Sequence, residues 1–126
     1  MTEIKEYEEI LRGNRLFGCA GDNFTLFKAY RMSKNAGKSR LDFTDIIWVQ
    51  DIPAIAKILR SNGIKEFTIS VFATGIADAL TAFQEAGIRI QGMVNVVANG
   101  QVVYRKEDDA QGEANMPVSA LLMKVE

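Results

Sequence analysis

Histidine is absent from this chain of 126 residues, and cysteine occurs only once, as Cys19. Without histidine the sequence lacks the commonest metal ligand and the side chain best suited to proton transfer near neutral pH. A single cysteine excludes an internal disulfide and a cysteine-rich zinc site, and without an activating histidine Cys19 is predicted to be an inert buried residue. The carboxylate pairs Asp42/Asp45 and Asp108/Asp109 are weak evidence for Mg²⁺. We therefore expect no catalytic residue, no metal site and no cofactor, and favour a protein that is not an enzyme.

Long apolar runs are also missing. No stretch approaches the ~20 residues that cross a bilayer, and residues 1–6 are polar and acidic, unlike a signal peptide. Small secreted proteins usually carry paired cysteines, which this chain lacks. We therefore expect a cytoplasmic protein without a membrane partner.

The overall composition is that of a globular domain, with 48% apolar and 25% charged residues. The length is typical of one domain, so residues 1–126 are treated as a single unit. Charge is unevenly spread within it, because residues 12–40 contain seven basic residues against Asp22 alone, a balance of +6. We divide the domain into a helical N-terminal part, 1–40, and a strand–helix–strand body, 41–126.

Apolar spacing and turn residues predict alternating helices and strands. Helices are predicted over residues 3–12 and 24–36, from Asp51 to Asn62, and from Ile76 to the residue before Gly87. Strands are predicted over residues 46–49, 67–72, 88–98, 102–104 and 118–125, with Asn99-Gly100 as a two-residue hairpin turn.

This order contains two consecutive strand–helix–strand units, which predict parallel pairing with right-handed crossovers. The C-terminal hairpin predicts an antiparallel edge. The predicted fold is α/β, with α+β as the alternative. It has a mixed, mainly parallel sheet of about 4–5 strands and an antiparallel C-terminal hairpin, packed by about four helices.

The basic residues form a first candidate binding surface, which consists of Lys28, Arg31, Lys34, Lys38 and Arg40. Positions 28, 31 and 34 step by three along the predicted helix and can share a face, while the last two cations follow the helix end. Such a face suits contact with phosphate groups, which makes nucleic acid one candidate partner. The simpler alternative is an ordinary solvated helix face.

A second candidate is the strand-to-helix turn that contains Phe72, Thr74 and Gly75. Ligands of open α/β sheets often bind at such turns, and helix N-termini attract anions. The segment matches neither a G-x-G-x-x-G run nor a P-loop, so an ordinary connection capped by Thr74 is the simpler interpretation. Trp48 and Phe72 would form an interaction patch if both were exposed, and would be core aromatics if buried.

Several short motifs resemble a known group of proteins. They are LDF-x-D-x-IW at 41–48, DIP at 51–53, EFTIS at 66–70, AFQEAG at 82–87 and GMVN at 92–95. Together they resemble a family of short uncharacterised proteins of Gram-positive gut bacteria, often carried on mobile elements and without an established activity. The resemblance implies a bacterial cytoplasmic setting and transfers no catalytic residue to any position of this chain.

The leading functional hypothesis is a non-enzymatic interaction or regulatory protein that associates with itself or with another protein. Its last strand would pair across a dimer axis. One alternative is an accessory protein that contacts nucleic acid through the basic 28–40 face. A further alternative is a small-molecule binder at the 72–75 turn.

Overall fold

The computed structural model describes residues 1–13, 23–44, 46–70, 75–97 and 117–126. The described helices are α1 (Lys5–Leu11), α2 (Phe24–Asn35), α3 (Ile52–Ser61) and α4 (Ile76–Glu85). The described strands are β1 (Asp42–Phe43), β2 (Glu66–Ser70), β3 (Ile88–Val97) and β4 (Pro117–Val125). A 3₁₀ turn at Val49–Asp51 leads directly into α3. These elements confirm the predicted α/β class and the positions of the four predicted helices.

The four described strands form one mixed sheet in the order β1-β2-β4-β3. β1 and β2 are parallel neighbours, as expected for strands joined by α3. β4 lies between β2 and β3 and is antiparallel to both. The two strands of the second strand–helix–strand unit, β2 and β3, therefore do not pair with each other, because β4 lies between them. β1, β2 and β3 nevertheless all run in the same direction. β4 is an inner strand, so it has no free edge for the expected pairing across a dimer axis.

β3 and β4 form the antiparallel C-terminal pair, from Ile88 opposite Val125 to Val97 opposite Pro117. The register shifts between Ile90 and Gly92, which marks a β-bulge in β3. The predicted turn at Asn99-Gly100 and the predicted strand at 102–104 lie outside the described residues.

Residues 46–49 do not form the predicted strand. The strand of this region is the two-residue β1, after which the chain runs without regular structure through residues 46–48 into the 3₁₀ turn. The β-branched composition favoured a strand, but such residues form one only where a paired and half-buried position is available. Instead the side chains of this segment differ in burial: Ile47 is buried, whereas Trp48 and Val49 are exposed.

The hydrophobic core joins all the layers through aromatic rings. Phe43 of β1, Phe67 of β2 and Phe83 of α4 are buried together, with ring centroids 5.3–6.4 Å apart. Tyr7 of α1 packs edge-on against Phe27 of α2 at 5.2 Å. Such ring pairs add about 0.5–1.5 kcal/mol each beyond their buried area. One set of rings thus joins α4 to the sheet and the other joins α1 to α2, and both sets belong to one cluster of buried residues.

The outer edge of β1 is closed by a side chain of α2. The buried hydroxyl of Ser33 accepts the backbone N–H of Asp42 at 3.0 Å and donates to the carbonyl oxygen of Asp42 at 3.2 Å. On the other edge, the N–H of Thr68 donates to the carbonyl of Leu41 at 3.0 Å. An edge strand normally offers these groups to another strand, and here one hydroxyl satisfies both. α2 is thereby fixed against β1.

We expect Ser33→Ala to lower the free energy of unfolding by about 1–3 kcal/mol, because two buried backbone groups lose their partner. Urea unfolding followed by circular dichroism measures this change. Ser61→Ala is the matched control, since it removes an exposed hydroxyl that donates only to the carbonyl of Ile58 in α3. Its effect should stay within about 0.5 kcal/mol. Equal losses in the two variants would contradict the role assigned to Ser33.

Candidate functional site

A groove runs between α2 and the segment that follows β1, and we call it the α2 groove. Phe24, Lys28 and Met32 form one wall, while Ile46 and Trp48 contribute to the other. The three helical residues are four apart, so they lie along one side of α2. The groove encloses about 50 Å³ and is lined mainly by apolar side chains.

Three large apolar side chains are exposed at or beside this groove. They are Phe24 with 53% of its surface exposed, Trp48 with 49% and Val49 with 41%. Single exposed apolar residues are common on soluble proteins, but neighbouring ones beside a groove are typical of an interaction surface. The arrangement is therefore suited to contact with another apolar surface.

The sequence indicated only part of this surface. The exposure of Trp48 agrees with the patch considered from the sequence, while its predicted companion Phe72 lies outside the described residues. The sequence did not single out Phe24, which is exposed, whereas Phe27 and Tyr30 of the same helix are buried. The four-residue spacing of Phe24, Lys28 and Met32 is the signal that would have identified the wall of the groove.

Charges of both signs lie close to the α2 groove. Lys28 is part of its wall. Thr25, which also lines the groove, donates from its hydroxyl to Oδ2 of Asp51 at 2.7 Å. This bond ties the first turn of α2 to the residue that precedes α3, and it places a carboxylate beside the groove.

Lys34, the third residue of the predicted basic surface, is bound to α1. Its Nζ donates to the two carboxylate oxygens of Glu8 at 2.5 and 2.6 Å. The buried Glu8 carboxylate also accepts the phenol hydroxyl of Tyr30 at 2.5 Å. The bonds from Lys34 and Tyr30 lower the pKa of Glu8 below its usual range, whereas burial, reinforced by the bond to Glu8, raises the pKa of Tyr30.

Lys38 and Arg40 are also paired with carboxylates. Lys38 Nζ donates to Oδ2 of Asp42 at 2.5 Å in a pair that is almost fully buried. Arg40 Nη1 lies 3.3 Å from Oε1 of Glu66 on β2, nearer the surface. Both cations therefore hold the end of α2 and the loop after it to the sheet.

The two remaining basic residues have different surroundings. Lys28 belongs to the α2 groove, and the guanidinium carbon of Arg31 lies 5.8 Å from the ring centroid of Phe27. At that distance a cation–π attraction contributes about 0.5–1 kcal/mol at an exposed site. The five basic residues are thus close in sequence but face different neighbours, and Lys34, Lys38 and Arg40 contact carboxylates.

Of the predicted ligand turn, the structure describes Gly75 alone, since Phe72 and Thr74 lie outside the described residues. Gly75 occupies the N-cap position of α4 that was expected for Thr74, with a left-handed φ of 81°. A Cβ at this position would lie 3.3 Å from the carbonyl oxygen of Ile47. The glycine is therefore explained by backbone conformation and close packing.

Two further features concern the described ranges 1–13, 23–44, 46–70, 75–97 and 117–126, namely a metal site and a membrane-spanning helix. No three histidine, cysteine, aspartate or glutamate side chains are grouped there in a way that could hold a metal ion. No helix in those ranges has the length and apolar character needed to cross a membrane. Cys19 and the Asp108/Asp109 pair lie outside the described residues.

We expect Glu8→Gln to make stability less sensitive to acid. Because the pKa of Glu8 is lowered in the folded state, its carboxylate stabilises the fold above the ordinary glutamate pKa of about 4.3. That stabilisation is lost as the pH falls through the lowered pKa. The variant should therefore be less stable at neutral pH and lose less stability below about pH 4.3, as measured by urea unfolding across a pH series.

Glu9→Gln provides the control, because it changes the same type of residue at the next position of α1. A pH dependence that changes in Glu9→Gln but not in Glu8→Gln would show that Glu8 is not the group responsible.

Comparison with known proteins gives one match. Residues 25–118, most of the chain, match a family model described as "Domain of unknown function (DUF7698)". The match extends from the first turn of α2 into β4 and includes most residues of the α2 groove. No curated protein and no solved structure matches the chain. The resemblance to an uncharacterised family, which the motifs at 41–48 and 66–70 indicated, is confirmed at that level.

Proposed function

The chain belongs to the DUF7698 family of unknown function, and we propose that it is a non-enzymatic interaction protein that self-associates through the α2 groove. The observation that supports this proposal is the exposure of Phe24, Trp48 and Val49 at or beside an apolar groove. Apolar surface removed from water contributes roughly 25 cal/mol per Å², so covering these side chains would favour association.

The form of the surface favours a second copy of the chain as the partner. The large exposed side chain of Trp48 and the apolar groove lie on the same side of the molecule. A twofold axis brings such a face against itself, so that Trp48 of each copy meets the groove of the other. Lys28 and Asp51 carry opposite charges beside the groove, which the same axis can pair across the interface.

A stable homodimer requires more than the groove alone. Specific interfaces bury roughly 1,200–2,000 Å² in total. The proposed contact therefore extends over the adjoining exposed face of α2 and over the 3₁₀ turn that contains Val49. Within that area, Trp48 and Phe24 are the side chains we expect to contribute most, because large aromatic residues dominate interface energetics.

The two alternatives have less support. A nucleic-acid track along the basic 28–40 face has less support, because Lys34 is bound to Glu8 of α1 while Lys38 is bound to Asp42 of β1, so the cations are divided between different elements. A ligand at the 72–75 turn has support in the described residues from Gly75 alone, and packing explains that glycine. As part of the proposal, the setting is a bacterial cytoplasm with a mobile-element context, on the resemblance of the sequence motifs alone.

Trp48 gives a direct readout of this association, because it is the only tryptophan of the chain. We expect a dimer at micromolar concentration by light scattering, and a blue shift of the emission of Trp48 as concentration rises. Trp48→Ala and Phe24→Ser should each weaken the dimer at least about tenfold, since truncating a central interface aromatic typically costs about 2 kcal/mol or more.

Met93→Ser is the matched control, because it removes another exposed apolar side chain, on β3, the last strand in the order of the described sheet. It should leave the dimer constant unchanged. A strict monomer over the whole concentration range would overturn the proposal. So would a dimer that is disrupted by Met93→Ser and unaffected by Trp48→Ala, which would assign the contact to β3.

A further inference from the structure

A larger cleft lies at the C-terminal end of α2 and encloses about 480 Å³. Its polar lining consists of Lys38, Ser39, Arg40, Asp42, Thr68 and Asn95. We call it the Asp42 cleft. It has no lining residue in common with the α2 groove.

The base of the Asp42 cleft is a buried ion pair. The side chains of Asp42 and Lys38 are 1% and 8% exposed, and Oδ2 and Nζ are 2.5 Å apart. The other carboxylate oxygen, Oδ1, accepts the hydroxyl of the buried Thr68 at 2.6 Å. Both carboxylate oxygens of Asp42 are therefore bonded, and its charge is compensated by Lys38.

Such a pair is an expensive way to stabilise a fold. Removing two charges from water costs several kcal/mol per ion, and apolar residues of similar volume often serve as well or better. Burial raises the pKa of Asp42 although Lys38 opposes the shift, which agrees with poor solvation of the pair. The pair holds the chain beyond α2 to β1, and in addition it places two charged groups at a cleft that is large enough for a small ligand.

The rim of the cleft carries unused donor capacity. Arg40 is one third exposed, and its ion pair with Glu66 uses a single nitrogen, Nη1. A guanidinium has five N–H donors in a planar fork that matches a carboxylate or phosphate group. Val96 of β3 lies on the same face of the sheet as Thr68 and adds apolar surface. Among the charges, Lys38 compensates Asp42, while Arg40 faces Glu66, which is not part of the lining.

We propose that the Asp42 cleft binds a small molecule that carries an oxyanion group, either a carboxylate or a phosphate. The guanidinium of Arg40 is the main anchor, and the ammonium of Lys38 supports it from below. The apolar part of the ligand lies against Val96. This site is separate from the α2 groove and does not depend on the proposed self-association.

The test is an amide-correlation NMR titration of the full labelled chain with inorganic phosphate and, separately, with acetate. Sodium chloride at matched ionic strength controls for general screening. We expect saturable shifts at the amides of Ser39, Arg40 and Asn95 with at least one probe. Arg40→Gln should weaken the binding roughly tenfold or more, because it removes charge-assisted bonds to the anion.

Arg89→Gln is the matched control, since Arg89 forms a comparable exposed ion pair, with Glu126 at 2.7 Å, outside the cleft. It should bind the probe normally. Asn95→Ala is a second control, because the alternation of β3 places this exposed side chain on the face opposite Thr68, and it should bind the probe normally. The NMR spectrum itself reports whether each variant is folded.

The probe that saturates identifies the anion class. The proposal is overturned if neither probe shifts these amides, if sodium chloride shifts them equally, or if Arg89→Gln loses binding as much as Arg40→Gln. Trp48→Ala should bind the probe like the unmodified chain. A monomeric chain that still binds phosphate or acetate would therefore remove the proposed dimer while leaving this site in place.

Discussion

The arrangement of this fold depends on how Asp42 is held. Its backbone N–H and carbonyl are both bonded to Ser33 of α2. Its carboxylate accepts bonds from Lys38, just beyond α2, and from Thr68 of β2. One residue thus connects the longest described helix to two strands. β1 has only two residues, so its ladder bonds with β2 are few, and these side-chain bonds define its place.

The same anchor determines where both candidate surfaces lie. Ser33 lies in the last turn of α2. The side of this helix that carries Phe24, Lys28 and Met32 forms a wall of the α2 groove, and its C-terminal end borders the Asp42 cleft. The residues of the opposite wall follow Phe43, the last residue of β1. The position of β1 therefore determines how far this wall lies from α2. α2 has twelve residues and is therefore about 18 Å long. Because its geometry is regular, fixing one residue of the helix determines the positions of both its ends. The two surfaces are therefore products of one helix–strand junction.

The helices could be predicted because their signals are local: apolar spacing, followed by glycines at helix ends that adopt positive φ. The position of β4 between β2 and β3 could not, because it depends on pairing between distant segments. The basic surface shows the same limit. Glu8 and Glu66 lie 26 residues from Lys34 and Arg40, so no local pattern reveals that these charges are paired. Exposure of Trp48 was one of two outcomes that the sequence left open, and only the packing of residues 46–49 decides it.

Several unfavourable features of the described residues lie along or beside α2. The side-chain amide of Asn23, immediately before the helix, is buried without a hydrogen-bond partner there. Phe24 and Trp48 expose apolar surface along its first turns, and the Lys38–Asp42 pair is desolvated beyond its last turn. Each feature lowers stability relative to a satisfied or apolar substitute. They lie beside the two cavities at which we propose contacts, and a partner or ligand bound there would cover the exposed rings or add bonds to the desolvated pair.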